Sequence, residues 1–199
     1  MSGLRGMSDA DVWEFAESDD LWLFDKLILS KKLGYKCGPA GVAPTENGKY
    51  IVRPCVNYRM MSAGVFELFI NAGQDVIPNG FFWCEIFNGR HLSFDYHWGE
   101  QVLAVEGIKD GYRRFVYWKK VNDVFPLPPF LENITKKYEW LNVEVIDGKI
   151  IEVHLRYNDD FANHNGNIVV PIWRGEKIDK TKEFYSSPCG DRVGFYVIK

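Results

Sequence analysis

Residues 141–156 read LNVEVIDGKIIEVHLR, two apolar-rich segments separated by Asp147-Gly148. An Asp-Gly pair between such segments favours a tight β-hairpin turn, because both residues tolerate the left-handed backbone that the turn requires. The sequence therefore predicts one strand over Leu141–Val145 and a returning strand over Lys149–Leu155.

The strands of this hairpin carry Glu144 on one arm and Glu152, His154 and Arg156 on the other. Side chains two residues apart on a strand share a face, so Glu152, His154 and Arg156 point the same way. Glu144 lies across from them if it takes that face. Because such groups are costly to bury without partners, the cluster is either an exposed, salt-bridged sheet face or a site. A site of this kind suits magnesium, which takes carboxylate oxygens together with nucleotide phosphates, and an arginine suits phosphate or carboxylate.

Outward from the hairpin, helices precede a run of strands. Caps and apolar spacing predict helices over Ser8–Phe24, Leu21–Leu33 and Pro129–Tyr138. The further strands predicted from apolar and aromatic runs are Tyr50–Pro54, Val65–Ile70, Phe81–Phe87, Leu92–Tyr96, Gln101–Val105, Tyr112–Trp118, Ile168–Trp173 and Phe195–Ile198. Asn88-Gly89 is a hairpin signal, and residues 55–63 read as a turn. This order predicts an α+β fold with largely antiparallel sheets, and the glycine patterns of Rossmann and P-loop sites are absent from the sequence.

The composition is that of a folded globular chain. Its 199 residues are 46% hydrophobic and 16% aromatic, enough for a sizeable core without disulfides. A net charge of -3 argues against a nucleic-acid-binding protein, which needs a basic face to displace counterions from phosphates. The four cysteines form no Cys-x-x-Cys pair, which favours reduced, mostly buried thiols. Because the N-terminal stretch is polar and no apolar run reaches ~18 residues, we expect a cytoplasmic protein without a membrane segment.

The hairpin resembles the one that closes the nucleotide site of ATP-grasp ligases, an Asn-Val-Glu segment followed by Ile-Ile-Glu-Ile-Asn-x-Arg. Here the matching residues are 142–144 and 150–156. The resemblance implies that Glu144 and Glu152 bind magnesium. His154 stands where the family usually has a metal-binding asparagine, and it joins the implied metal ligands.

Three upstream segments follow the family's order. Asp25-Lys26 resembles the opening of the nucleotide core, which implies that Lys26 contacts phosphate. Residues 51–54 resemble a strand end that carries an ATP-binding lysine, here replaced by Arg53. Residues 82–90 resemble the chain between the two lobes, which holds adenine through backbone groups. The positions that match these adenine contacts are Glu85, Ile86 and Phe87.

The resemblance implies one ATP-grasp-like unit over residues 1–199, with two small lobes, largely antiparallel sheets and flanking helices. Residues 1–24 would form an N-terminal helical extension in place of the family's usual preceding domain, which implies a very small substrate site, a partner chain or a homo-oligomer. The implied activity is an ATP- and magnesium-dependent carboxylate–amine (or carboxylate–thiol) ligase that works through an acylphosphate. ATP and a small carboxylate would be its partners, and Arg53 and Arg156 would steady the γ-phosphate or the acylphosphate.

Departures from the family pattern leave a second reading open. His91 stands where the family has an acidic residue, and residues 55–64, where a glycine-rich flap would lie, contain only Gly64. The alternative is a non-catalytic ATP-grasp-like binding or assembly module, carried by a phage or mobile element, whose exposed aromatic surface binds a protein partner. A third reading, from the aromatic residues alone, is a β module that binds sugar or nucleic acid.

Overall fold

The structure, a computed structural model, describes residues 8–56, 64–110 and 114–199. Its helices are α1 (Asp9–Trp13), α2 (Lys26–Lys32) and α3 (Pro129–Thr135), with single 3-10 helices at Ser18–Phe24 and Asp159–Phe161. Its strands are β1 (Cys37–Pro39), β2 (Gly48–Pro54), β3 (Phe66–Ile70), β4 (Phe81–Cys84), β5 (His91–His97), β6 (Glu100–Asp110), β7 (Arg114–Lys120), β8 (Trp140–Ile146), β9 (Lys149–His154), β10 (Ile168–Trp173), β11 (Phe184–Cys189) and β12 (Arg192–Ile198). No helix in these ranges is long and apolar enough to cross a membrane.

The strands form two antiparallel sheets. The small sheet has the order β1-β4-β2-β3, and the large sheet has the order β11-β12-β10-β7-β6-β5-β8-β9. Every pairing between neighbouring strands of the described chain is antiparallel. The predicted α+β class with largely antiparallel sheets is therefore confirmed.

One face of the large sheet packs against the helices. Its core includes Phe94, Leu141 and Val143 from the strands, together with Leu29 of α2 and Leu131 of α3. Each side chain of this size contributes about 1.5–3 kcal/mol when it is removed from water. Because side chains alternate along a strand, the polar residues between these apolar ones face the opposite side of the sheet.

The first predicted helix, Ser8–Phe24, is broken in two. It begins as expected, because Ser8 caps α1 and Asp11 returns the hydrogen bond in a capping box. α1 ends at Trp13, however, and the chain resumes as a 3-10 helix from Ser18. This short first element places its own N-terminus, and not a long helix face, beside the sheet.

The second helix starts later than the predicted Leu21–Leu33. The Asp25 carboxylate accepts the backbone N–H groups of residues 27 and 28, which fixes the helix start at Lys26. Gly34 follows the helix with a positive φ of 78°, as a terminating glycine should. The third helix ends at Thr135 and not at Tyr138.

Where the two sheets are joined, the predicted strand is too long and the predicted hairpin is wrong. The strand predicted over Phe81–Phe87 ends at Cys84. Asn88-Gly89 is not a hairpin turn, because β4 and β5 belong to different sheets and the segment carries the chain between them. A Cβ at Gly89 would lie 2.8 Å from the Cβ of Asp147, so glycine is required where this connection passes the hairpin turn.

Two short strands form because neighbouring strands pair with them, and their own sequences do not predict strands. β1 and β11 contain proline and show no clean alternation of apolar and polar residues. They are held by β4 and β12 respectively. The predicted turn over residues 55–63 and the start of the strand Tyr112–Trp118 fall largely on residues 57–63 and 111–113, outside the described residues.

Candidate active site

A cleft of about 1090 Å³ lies between the two sheets. Its lining includes Lys26, Arg53 and Cys84 from the small sheet and the adjoining helix, and Glu144 and Glu152 from the large sheet. Small-molecule sites usually enclose roughly 300–1,000 Å³. The cleft is therefore large enough for a nucleotide together with a second small ligand.

The hairpin β8–β9 forms one wall of this cleft. Asp147 and Gly148 take positive φ angles of 52° and 72° in its turn. Glu144 is the direct cross-strand partner of Glu152, so both side chains share one face of the sheet, and both line the cleft. The sequence left the face of Glu144 open, and the structure places it with Glu152. The register shifts between Glu144 and Val145, and bulges of this kind re-aim side chains beside functional sites.

Glu152 connects two cationic or titratable neighbours. Lys26 Nζ lies 3.1 Å from Glu152 Oε2, and His154 Nε2 lies 3.4 Å from Glu152 Oε1. The side chains of Lys26 and Glu152 are only 12% and 16% exposed. Their attraction is therefore weakly screened by solvent and salt.

Glu144 is held by His91 from the neighbouring strand β5. His91 Nε2 lies 3.0 Å from Glu144 Oε2. Burial alone would raise the pKa of Glu144, but the hydrogen bond from His91 and the nearby positive charges lower it below its ordinary value. The His91 ring meets Phe115 and Trp118 edge-on. Its Nδ1 is buried without a hydrogen-bond partner in the described chain.

Arg53 is buried where the small sheet meets the hairpin. Its Nη2 donates to the carbonyl oxygen of Ile151, the extra residue of the β9 bulge, over 3.1 Å. Its Nε is buried and has no hydrogen-bond partner among the residues that the structure describes. Burial lowers the pKa of Arg53, although neighbouring thiols and carboxylates oppose this shift. An unpaired buried donor costs about 1–3 kcal/mol, so an anionic ligand oxygen beside Nε would be stabilised.

Arg156 and His154 share a carboxylate from the other end of the chain. Arg156 Nε donates to Asp9 Oδ1 over 2.7 Å, and His154 Nδ1 lies 3.0 and 3.1 Å from the two Asp9 oxygens. Burial alone would raise the pKa of Asp9, but the charges and hydrogen bonds of His154 and Arg156 hold it well below its usual range. The start of α1 thus forms part of the cleft wall.

A buried polar row continues from His91 along β5. Asn142 Nδ2 donates to Ser93 Oγ and to Asp95 Oδ1, each over 2.7 Å. The backbone N–H of Asn158 also donates to Asp95. Burial raises the pKa of Asp95 to about 6 in spite of these hydrogen bonds. The row fixes the strands behind the two candidate metal carboxylates.

The connection between the sheets forms another part of the cleft wall and passes beside the hairpin turn. Glu85 is anchored at both ends, because its N–H donates to the Lys36 carbonyl and its carboxylate accepts the Lys36 N–H, each over 2.9 Å. Within the described ranges no main-chain hydrogen bond uses Ile86 or Phe87, and both residues line the cleft. Their backbone groups are therefore available to a ligand edge. Phe87 packs edge-on against Tyr35, with ring centroids 4.8 Å apart.

The lining of the cleft includes another ion pair, between Arg192 and Asp160. Arg192 contacts the Asp160 carboxylate, and its Nε and Nη2 donate to the carbonyl and hydroxyl oxygens of Ser187 over 3.2 and 3.0 Å. Lys109 also lines the cleft, and its Nζ lies 4.6 Å from the ring centre of Phe115. Burial lowers the pKa of Lys109. Lys109 and Arg192 therefore offer charge, and Phe115 offers aromatic surface, to a second ligand.

The structure gathers the predicted site residues around one cleft. Those that line it are Lys26, Arg53, Glu85, Ile86, Phe87, Glu144, Glu152, His154 and Arg156. Their roles remain predictions. The lining or supporting residues that sequence reasoning did not assign are Asp9, Ser93, Asp95, Asn142, Asp160 and Arg192.

The site offers donor atoms for a metal ion without a preformed cage. Across residues 8–56, 64–110 and 114–199, no group of three or more His, Cys, Asp or Glu side chains is arranged to hold a metal ion. Magnesium usually takes only one or two carboxylates and completes its octahedron with water and phosphate oxygens. Glu144 and Glu152, in register on the cleft wall, fit that limited demand, and the unpartnered Nε of Arg53 fits an anion beside them.

Comparison with known proteins identifies the fold. No protein-family model and no curated protein matches the sequence. Among solved structures, a protein assigned to the ATP-grasp superfamily from Archaeoglobus fulgidus matches 89% of this chain and 65% of its own, with 15% identity and a TM-score of 0.50. The N5-carboxyaminoimidazole synthase of Aspergillus clavatus, in complex with ADP and 5-aminoimidazole ribonucleotide, matches 96% of this chain and 61% of its own, with 9% identity and a TM-score of 0.46. The D-alanine–D-alanine ligase of Bacillus anthracis matches 70% and 59%, with 16% identity and a TM-score of 0.37.

This chain spans less than two thirds of each of these proteins. The match to the Archaeoglobus fulgidus protein agrees with the two antiparallel sheets and the cleft between them. The chain therefore has the fold of the ATP-grasp superfamily.

Proposed function

We propose that this protein is an ATP- and magnesium-dependent ligase that joins a small carboxylate to an amine or a thiol through an acylphosphate. The observation that carries the proposal is the direct pairing of Glu144 with Glu152 on the wall of the cleft. Two partly buried acids on one sheet face, with Lys26 and Arg53 lining the same cleft, are suited to a metal-bound triphosphate.

The ends of the nucleotide would be bound by different parts of the cleft. The open backbone groups of Ile86 and Phe87 suit the hydrogen-bonding edge of adenine, with Glu85 anchoring the connection. Lys26 and Arg53 would contact the phosphates, since both line the cleft and Lys26 already pairs with Glu152 over 3.1 Å. Residues 1–199 would then act as one unit, with residues 1–24 as its N-terminal part.

In the proposed reaction a substrate carboxylate oxygen attacks the γ-phosphorus of ATP, and ADP leaves. The nitrogen or sulfur of the second substrate then attacks the acyl carbon, loses its proton, and inorganic phosphate leaves. Arg53 and Arg156 would stabilise the negative charge on the transferred group, as fixed donors in a partly desolvated cleft do. Magnesium, held by Glu144, Glu152 and His154, would neutralise charge on the phosphate oxygens.

The test is a thermal-unfolding titration with ATP and Mg²⁺. Nucleotide at a hundred times its Kd stabilises by about 2.7 kcal/mol, which raises the Tm of a domain of this size by roughly 5–11 °C. Glu152→Gln should lose most of this gain. Glu139→Gln is the matched control, because Glu139 also pairs with a histidine, over 3.3 Å, but is absent from the cleft lining. Absence of any shift in the wild type at millimolar ATP would refute the proposal.

A nucleotide-binding module without turnover is the second candidate. It is favoured by the Asp9 carboxylate, which already occupies Arg156 Nε and so competes with a substrate anion for that group. This candidate predicts an ATP-dependent shift that Glu152→Gln abolishes, with no phosphate release in the presence of any carboxylate and amine pair. Phosphate release that depends on both substrates would exclude it.

A further inference from the structure

We infer that Asp9 orients His154 as a nitrogen ligand, so that the metal position of the cleft favours a first-row transition-metal ion such as Mn²⁺ over Mg²⁺. The inference rests on the proposed metal–nucleotide site and assigns its metal preference. Its physical basis is a chain of contacts that runs from Arg156 through Asp9 and His154 to Glu152.

The first step is the hydrogen position on the imidazole. Both oxygens of Asp9 lie within 3.1 Å of His154 Nδ1. A carboxylate paired with an arginine only accepts hydrogen bonds, and Arg156 Nε donates to this one over 2.7 Å. The hydrogen therefore lies on Nδ1, and the other ring nitrogen, Nε2, is directed away from Asp9.

The second step is what Nε2 faces. It lies 3.4 Å from Glu152 Oε1, while the other Glu152 oxygen is held by Lys26 over 3.1 Å. Two electron-rich atoms at that separation attract each other only when a proton or a metal ion lies between them. A histidine that donates one N–H to a carboxylate and presents the other nitrogen to a metal is the common arrangement of metal-binding histidines.

The third step is selectivity. Magnesium is a hard ion that takes oxygen ligands, whereas an imidazole nitrogen favours transition-metal ions, whose affinity rises from Mn²⁺ along the first row. The ring cannot easily withdraw, because His154 is only 5% exposed and Asp9 fixes its plane. A site that combines this nitrogen with the oxygens of Glu144 and Glu152 should therefore shift its preference away from magnesium.

The test measures metal binding and not only turnover. Loss of the free Mn²⁺ electron paramagnetic resonance signal is titrated with a non-hydrolysable ATP analogue present, and Mg²⁺ then displaces the bound Mn²⁺. We expect the Mn²⁺-over-Mg²⁺ ratio to fall at least about tenfold in His154→Asn, which supplies an oxygen ligand in place of nitrogen. Asp9→Asn should weaken Mn²⁺ binding by about 10- to 100-fold, the usual effect of losing the partner of a metal-binding histidine.

Asp11→Asn is the matched control, because Asp11 lies on the same helix and contacts Ser8 but not His154. His154→Gln serves as a second variant should His154→Asn fail to fold. An unchanged metal ratio in these variants, with nucleotide still bound, would overturn the metal assignment and leave the proposed ligase standing. Absence of nucleotide binding with either metal in the wild type would overturn both.

Discussion

Replacing Asp9 with asparagine should destabilise the protein by about 2–4 kcal/mol at neutral pH. Asp9 is 15% exposed and its partners His154 and Arg156 are 6% and 18% exposed, so the contacts are mostly shielded from water. Removing one member of a buried charge pair costs about 3–5 kcal/mol. The asparagine side chain would keep one accepting oxygen and so retain part of one charge-assisted hydrogen bond, each of which is worth about 1.5–3 kcal/mol.

The assay is urea unfolding followed by tryptophan fluorescence, supported by thermal scans. A loss of about 2–4 kcal/mol corresponds to a fall in Tm of roughly 4–16 °C for a domain of this size, and the variant should remain folded if total stability lies in the usual range of about 5–15 kcal/mol. The control is Glu46→Gln in the Lys36–Glu46 pair, whose side chains are 65% and 68% exposed. That exposed pair should contribute less than about 1 kcal/mol.

A double-mutant cycle with Arg156→Met isolates the Asp9–Arg156 contact. If the pair is as buried as the structure indicates, Asp9→Asn should cost less in the Arg156→Met background than in the wild type, with a coupling free energy within about 0.5–3 kcal/mol. A total cost of Asp9→Asn below about 0.5 kcal/mol, equal to that of Glu46→Gln, would refute the reasoning. It would mean that α1 does not dock its first residue against the hairpin.

The difference in stability between wild type and Asp9→Asn should change with pH in one direction. Because its partners hold the pKa of Asp9 below the unfolded value of ~3.9, the stabilisation is complete above that unfolded pKa. It is lost as the pH falls through the lower pKa of the folded state. The gap between wild type and Asp9→Asn should therefore stay constant from about pH 5 to 8 and shrink below about pH 4.

Three further outcomes are expected. Gly107→Ala would place a Cβ 2.4 Å from a ring carbon of Phe115 and 2.9 Å from one of Trp118, so overpacking should cost about 1–3 kcal/mol in urea unfolding. Leu131→Ala, at a fully buried position of α3, should cost about 2–5 kcal/mol, and a smaller loss would show that the helix face relaxes into the cavity. Burial raises the pKa of Asp95 to about 6, so between about pH 4 and 6 the native state binds a proton that the unfolded state has released. The free energy of unfolding of the wild type should therefore fall as the pH rises from about 4 to 6. The fall should be up to about 2–3 kcal/mol larger than in Asp95→Asn. A stability difference between the two proteins that does not change with pH would contradict this.

The part of the site that could be predicted from sequence is the part made by local geometry. In the hairpin β8–β9, the turn at Asp147-Gly148 and the period of two along the strand place Glu152 and His154 on one face. Glu144 joins that face only because Ile151 is an extra residue in β9, since an unbroken register from the turn would pair Glu144 with Ile151. The turn and the two strands follow from local pattern, whereas the bulge that aligns the two acids does not. The same local rule failed at Asn88-Gly89, because a turn signal cannot tell whether the next strand joins the same sheet or another one.

Strand β5 carries a second pattern that sequence alone can show. His91, Ser93 and Asp95 alternate with Leu92 and Phe94, and this pattern alone predicts a strand with one polar and one apolar face. The structure shows that this polar face turns towards the cleft and supports the hairpin carboxylates. A polar row on a strand adjacent to a predicted site should be interpreted together with the site itself.

The contact between Asp9 and His154 could not be predicted in this way. The two residues are separated by 145 positions, and an acid in the first turn of a helix already has a sufficient local explanation in the helix dipole. Only the packing of Val12 into the core beside the hairpin brings the helix start to the cleft. Such a contact is fixed by tertiary structure, and local pattern contains no information about it.

Polar and charged side chains of the cleft are already paired with one another. A ligand must therefore replace the partners of the pairs that it breaks. Glu152 is paired with Lys26, Glu144 with His91, and Asp9 with Arg156. A ligand of one charge alone would break a pair and leave a buried partner uncompensated, at a cost of several kcal/mol. A metal-bound polyphosphate avoids that cost, because its cation can replace Lys26 beside the carboxylate while its phosphate oxygens take over the released ammonium group. The arrangement therefore selects for a ligand that carries both charges together, and it predicts that neither free nucleotide nor free metal ion binds as tightly as the pair.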